Sequence, residues 1–235
     1  MRRLIIGLSA GLAMLLGTVS VFAAGFNVGI NANLVDIEAS GSEKDSLDPN
    51  DASILSTTVQ NDEWIGSYFL ELTMGDNDRF ALGYEAIPGS ADVSDKAHSR
   101  SDTEKSVTGD VTQNSTARTF KADANIEDFS VIYAEVPLGD LIYIRAGLTQ
   151  LTVITKETAS GNGGSYGNAD LDGIQYGIGV KGLVRDRFSW KLSYEVNDFD
   201  TLSLVSTGNS VASETSTLTA DLDTTALKFG VGLQF

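Results

Sequence analysis

From Gly25 onward the chain alternates apolar and polar side chains, the period of two that marks a strand with two unlike faces. Phe26, Val28, Ile30, Ala32 and Leu34 interleave with Asn27, Gly29, Asn31 and Asn33. Trp64, Tyr68, Leu70, Leu72 and Met74 share one face of a second run, opposite Ser67, Glu71 and Thr73. Phe80, Leu82, Tyr84 and Ala86 then oppose Ala81, Gly83 and Glu85. The second half repeats the pattern: Ile132, Ala134 and Val136 oppose Tyr133 and Glu135, and Ile142, Ile144, Ala146 and Leu148 oppose Tyr143, Arg145, Gly147 and Thr149. Ile174, Tyr176, Ile178 and Val180 oppose Gln175, Gly177, Gly179 and Lys181. Phe188, Trp190, Leu192, Tyr194 and Val196 oppose Ser189, Lys191, Ser193 and Glu195. Leu227, Phe229, Val231, Leu233 and Phe235 close the series, opposite Lys228, Gly230, Gly232 and Gln234. No window shows a sustained helical period. About eight strands are predicted, with segments near 120–128 and 199–222 able to pair further.

The connections alternate too. Those at 75–78, 137–140 and 182–186 are tight, whereas 39–63, 88–120, 156–171 and 199–221 are long and rich in Ser, Thr, Asp and Gly. Short turns at one end and long loops at the other are the plan of bacterial transmembrane barrels. An even strand count puts both termini on the side of the short turns.

Alternation alone fits a soluble sandwich, a lipocalin-type barrel or a membrane barrel. The polar face separates them: a soluble domain would turn Lys, Glu and Asp outward, but here that face carries mostly Gly, Asn, Ser, Thr and Gln with isolated charges. Small residues suit the narrow lumen of an eight-strand barrel. The other face is aliphatic and aromatic, as hydrocarbon demands, with Phe26, Phe80, Phe188 and Phe235 near one expected interface and Trp64 near the other. Closure is required because lipid offers no partner for free backbone N–H and C=O groups. The fold class predicted is all-β, an antiparallel up-and-down transmembrane β-barrel.

The first residues stand apart. Arg2 and Arg3 precede an uncharged apolar stretch, Leu4 to Gly17, and Val21-Phe22-Ala23-Ala24 offers a peptidase site after Ala23. Residues 1–23 therefore read as a signal peptide and 24–235 as the barrel domain. No Cys follows the apolar stretch, which excludes a lipoprotein and a disulfide framework. Without Arg2 and Arg3 the chain carries 14 basic against 32 acidic residues, a net charge near −18. Such an excess of acid argues against nucleic acid, whose phosphates need a basic face.

The ending Lys228-Phe229-Gly230-Val231-Gly232-Leu233-Gln234-Phe235 resembles the terminal signal of bacterial outer-membrane proteins. That signal has a polar residue, a Gly two further on, then apolar positions alternating to a final aromatic, and Lys228, Gly230, Leu233 and Phe235 fill it. The resemblance implies that the barrel-assembly machinery reads this strand, and that the partners are outer-membrane lipid and lipopolysaccharide. In architecture the chain is similar to the small eight-stranded OmpA-like and opacity-type barrels, which places it in the outer membrane. No peptidoglycan-binding domain is expected after Phe235.

Candidate chemistry lies in the lumen. Four acids (Glu71, Glu85, Glu135, Glu195) and four bases (Arg145, Lys181, Lys191, Lys228) are predicted to point inward. Equal numbers in a low dielectric predict mutual pairing, since an unpaired buried charge is very costly. Glu195 and Lys228 fall at one height on neighbouring strands and form the preferred pair. Two functions compete: a structural or surface-interaction barrel closed by ion pairs, and a narrow porin-like channel for small solutes gated by them. An eight-strand lumen normally holds no water column, which favours the first.

Catalysis is not expected. The sole histidine, His98, has Ser99, Asp92, Asp95 and Asp102 nearby, and lipid A-modifying barrels do carry His, Ser and Asp at the outer rim. Yet a His in a polar loop reads as solvated, and no amphipathic helix precedes the first strand. Asp170-Leu171-Asp172-Gly173 lacks the downstream acid of a calcium loop and reads as a strand start. The acidic stretch with Glu43, Asp45, Asp48, Asp51, Asp62 and Glu63 against Lys44 could meet lipopolysaccharide phosphates through divalent ions, but a solvated loop is the simpler reading. No metal or cofactor is expected.

Overall fold

The computed structural model describes residues 25–45, 55–75, 80–94, 98–108, 111–159, 165–207 and 216–235. The expected signal peptide, 1–23, lies outside them. The strands are β1 (Gly25–Asp45), β2 (Leu55–Met74), β3 (Phe80–Ala86), β4 (Ser90–Asp92), β5 (His98–Thr108), β6 (Val111–Pro137), β7 (Ile142–Ala159), β8 (Ala169–Val184), β9 (Phe188–Phe199), β10 (Leu202–Val205) and β11 (Ser216–Gln234). Eight of them, β1-β2-β3-β6-β7-β8-β9-β11, form an antiparallel ring that β11 closes by pairing with β1. β4 and β5 continue the line of β3 along β6, and β10 continues β9 along β11. All eight predicted runs become staves of the barrel.

The register fixes the barrel's shape. Steps between paired residues lead from Asn27 through Glu71, Gly83, Tyr133, Gly147, Gln175, Asn197 and Thr224. The circuit returns to β1 at Ile37, ten residues above its start. Eight strands with that stagger tilt by about 43°, inside the usual range for closed barrels. The turns at the lower end are short. Arg185 and Asp186 both have positive φ, as a tight hairpin matching the strand twist requires, and Gly139 does so in the β6–β7 turn. Of the turn expected at 75–78, Gly75 (φ +85°) is described and 76–78 lie outside the described residues.

The upper connections differ from expectation. Much of 39–63 and 88–120 is strand rather than loop: β1 runs to Asp45, β2 starts at Leu55, and β5 pairs with the upper half of β6; the segments near 120–128 and 199–222, read as able to pair further, do so in β6, β10 and β11. Backbone ladders need no apolar alternation, so polar segments lengthen the staves beyond the stretch where alternation betrays them. The apolar faces of the predicted runs do point outward; Ile30, Leu70, Ile144, Ile178, Leu192 and Phe229 are all exposed.

Above that band the pattern inverts without a change of strand parity. On β1 the outward positions pass from Ile30, Ala32 and Leu34 to Asp36 and Glu38, and the inward ones from Asn27 and Asn33 to Val35 and Ile37. On β11 Leu227 gives way outward to Asp223 and Asp221, while Ala226 and Leu222 turn in. On β8 and β9, Asp172 and Asp198 face out while Leu171 and Phe199 face in. The barrel is therefore oily outside and polar inside below, and acidic outside and oily inside above. On β6 a bulge between Glu127 and Ser130, with Asp128 at φ 54°, brings both Ile126 and Phe129 inward.

A seam lies in the wall between β2 and β4. The β2–β3 ladder stops at Tyr68–Ala86, and β4, which resumes the stave, pairs with β6 alone. Across this gap the Asn61 amide donates to the Asp92 carbonyl at 2.7 Å.

Candidate functional site

The lumen is built in three tiers, each from side chains at alternate positions of several staves. The lowest holds Glu71, Glu135, Lys191 and Lys181. The Lys191 ammonium bonds Glu71 Oε1 and lies 2.8 Å from Glu135 Oε1, and Lys181 Nζ lies 2.8 Å from Glu135 Oε2. Tyr133 donates its hydroxyl to Glu71 Oε1 at 2.7 Å, and the Asn27 amide donates to Glu71 Oε2 at 2.9 Å.

The next tier holds Glu85, Glu195, Arg145 and Lys228. Arg145 spans both carboxylates, with Nη2 2.6 Å from Glu85 Oε2 and Nη1 2.7 Å from Glu195 Oε1. Lys228 does the same from the far wall, 2.9 Å from Glu85 Oε1 and, as an ion contact outside hydrogen-bond geometry, 2.8 Å from Glu195 Oε2. Ser67 and Ser193 donate hydroxyls to Glu85 and Glu195. The Arg145 guanidinium lies 3.3 Å over the Tyr133 ring, which ties the two tiers together. All eight predicted lumen charges thus stand in two neutral quartets, and the carboxylates are wholly buried.

Glycine makes room for this packing. A Cβ on Gly83 would fall 2.2 Å from the Tyr133 ring, so the absent side chain lets the ring lie against the wall. A Cβ on Gly230 would meet Asn31 Oδ1 at 2.3 Å. Of the other terminal-motif residues, Lys228 is in the plug, while Leu233 and Phe235 face outward.

Sequence reasoning missed the third tier, an amide and hydroxyl floor with an apolar chamber above. Gln175 donates to Asn197, Asn197 to Thr224, and Asn33 to Ser67. Over them Val35, Ile37, Ile126, Phe129, Leu151 and Ala226 line a small, partly open apolar cavity. The signal that would have found it is the change of phase at Leu34-Val35-Asp36-Ile37-Glu38, repeated on β8, β9 and β11.

The rim candidates do not converge into a described site. His98 begins β5 in register with Ala122, Asp102 pairs with Arg118 further along, Asp92 is in β4, and Asp95 lies outside the described residues. Asp170 and Asp172 face outward on β8, where Thr152 donates to Asp170 at 2.8 Å. Glu43 accepts from the Tyr166 hydroxyl, Asp62 faces outward, and Asp48 and Asp51 lie outside the described residues. Among the described residues no three His, Asp or Glu side chains gather to hold a metal.

A closed ring of eight tilted strands with an oily outside and a charged, plugged interior defines an integral barrel of the bacterial outer membrane. The chain belongs to the outer membrane protein beta-barrel domain family, whose model matches residues 9–235. Its fold is similar to that of the outer membrane protein OprG from Pseudomonas aeruginosa, at 13% identity and TM-score 0.54 over 91% of this chain and 97% of that one. Weaker likenesses include Ail, the attachment invasion locus protein of Yersinia pestis (11%, TM-score 0.35, 88% and 99% covered), and the outer membrane protease OmpT of Escherichia coli (8%, 0.39, 93% and 99%). Among curated proteins none matches this sequence.

Proposed function

We propose that the protein is a sealed, non-catalytic barrel whose lumen the ion pairs close to solutes, and whose function resides in its outward-facing upper half. The observation that carries this reading is the pair of neutral quartets. Every carboxylate in them has two or more donors, so opening a path would strand buried charge on both walls. The partners proposed are outer-membrane lipid along the apolar band and lipopolysaccharide around the acidic ring above it. The barrel-assembly machinery is proposed to read Lys228, Gly230, Leu233 and Phe235. Refolded protein with its heat-modifiable gel shift intact is expected to be silent in planar bilayers. Steady single-channel steps, altered in Lys228→Ala or Glu85→Gln, would instead make the protein a narrow channel with these charges as its selectivity residues.

A further inference from the structure

Tyrosine is at home at the edge of a bilayer, where its ring meets hydrocarbon and its hydroxyl meets water. Four of this chain's seven tyrosines stand elsewhere. Tyr68, Tyr84, Tyr176 and Tyr194 face outward, 43–51% exposed, within the apolar band. At the outward positions of their own staves, Tyr84 lies between Leu82 and Ala86, Tyr176 between Ile174 and Ile178, and Tyr194 between Leu192 and Val196. Among the described residues none of the four hydroxyls has a hydrogen-bond partner, and hydrocarbon supplies none.

The four form two equivalent pairs. Across β2–β3, Tyr68 faces Ala86 and Leu70 faces Tyr84, so the two tyrosines are diagonal neighbours. Across β8–β9, Tyr176 faces Val196 and Ile178 faces Tyr194, which is the same diagonal on strands of the same directions. In the ring β1-β2-β3-β6-β7-β8-β9-β11, β8 is four staves beyond β2 and β9 four beyond β3, so the pairs lie on opposite sides of the barrel. They also share a level. Pairing steps lead from Tyr84 through Ile132, Leu148 and Ile174 to Asp198, half of the circuit and therefore five residues of its ten-residue climb. Tyr194 sits four residues below Asp198, one residue from the height of Tyr84. The faces between carry only hydrocarbon at this depth, with Ile30 and Phe229 on one and Ile132 and Ile144 on the other.

We infer that copies of this chain associate side by side in the membrane, the Tyr68–Tyr84 face of one against the Tyr176–Tyr194 face of the next, with the phenols hydrogen-bonded across the contact. A phenol hydroxyl both donates and accepts, so the two pairs complement each other. Inside a bilayer, close packing and polar contacts of this kind drive association, since lipid is as apolar as the protein surface. Trp64 and Leu70 flank the first pair and Ile174 and Ile178 the second, all 52–71% exposed. With aromatic side chains of about 150–250 Å² each, covering both faces removes on the order of 1,000 Å² from lipid, where specific interfaces begin. Every copy stands upright and the two faces are opposed, so translation alone makes the contact and it does not close; the product is a row. The inference is independent of whether the lumen conducts.

The chain has no Cys, so thiols report only where they are placed. Leu70→Cys with Ile178→Cys sets one thiol beside each tyrosine pair; Ile30→Cys with Ile144→Cys sets them on the hydrocarbon faces. In outer membranes of cells making the full protein, copper–phenanthroline oxidation is expected to link the first double variant into dimers, trimers and longer species on non-reducing gels. The second should give none above background. Adding Tyr176→Phe and Tyr194→Phe to the first should cut the linked fraction several-fold while the heat-modifiable gel shift persists, because the rings stay and only the hydroxyls go. Linking no stronger than on the hydrocarbon faces would overturn the association. Dimers equally abundant from Leu70→Cys alone would overturn the row in favour of a two-fold contact, and linking unchanged in the Phe variant would overturn the role of the phenols.

Discussion

Single residues decide whether the plug holds. Lys191 is the one cation shared by Glu71 and Glu135 in the lower quartet. Lys191→Met should destabilise the barrel by about 3–5 kcal/mol, the usual consequence of leaving buried charge unpaired. Adding Glu71→Gln should recover part of the loss; urea unfolding followed by gel shift reads both. Outside the apolar band, Asp223 illustrates the opposite case. Partial burial raises its pKa, and the like charges of Asp198, Glu38 and Asp221 raise it further. Its folded pKa exceeds the unfolded one, so stability falls as pH rises from the unfolded value towards the folded value and stays lower above it. Asp223→Asn should therefore raise the unfolding temperature at pH 7 and leave it unchanged at pH 3, where both forms are neutral.

At the scale of the strand, legibility tracked the medium. Runs such as Phe26–Leu34 and Leu227–Phe235 were plain because one face meets hydrocarbon and the other a polar lumen. The stretches 39–45, 55–63 and 111–119 were not, since a polar strand loses that contrast while keeping its ladder; 120–128 and 216–222 were legible only as segments able to pair further. The lumen charges were legible because an isolated charge amid small residues is conspicuous; which carboxylate meets which cation was legible only for Glu195 with Lys228, on adjacent strands. Arg145 with Glu85 depends on the barrel's curvature across the lumen. The apolar chamber was hidden because inward Val35 or Leu151 reads like another strand residue until parity is followed from below. Gly83 shows how one stave constrains another. Gly83→Ala should displace Tyr133 from the β3 wall, loosen its bond to Glu71 and cost about 1–3 kcal/mol, as overpacking does. Equilibrium unfolding of that variant, compared with Gly89→Ala where a Cβ meets nothing, separates crowding from backbone effects; Gly89, at φ +101°, would show backbone strain alone.

For the whole molecule, closing the ring between β1 and β11 sets every other pairing. Alternate residues face opposite media, so a slip of one position at that closure turns either Lys228 on β11 or Asn27, Asn31 and Asn33 on β1 towards lipid. Where β11 is the strand that turns, Glu85 and Glu195 lose a cation in a place where neither is hydrated. The upper quartet therefore favours one register of closure electrostatically, the one that holds Lys228 beside Glu85 and Glu195.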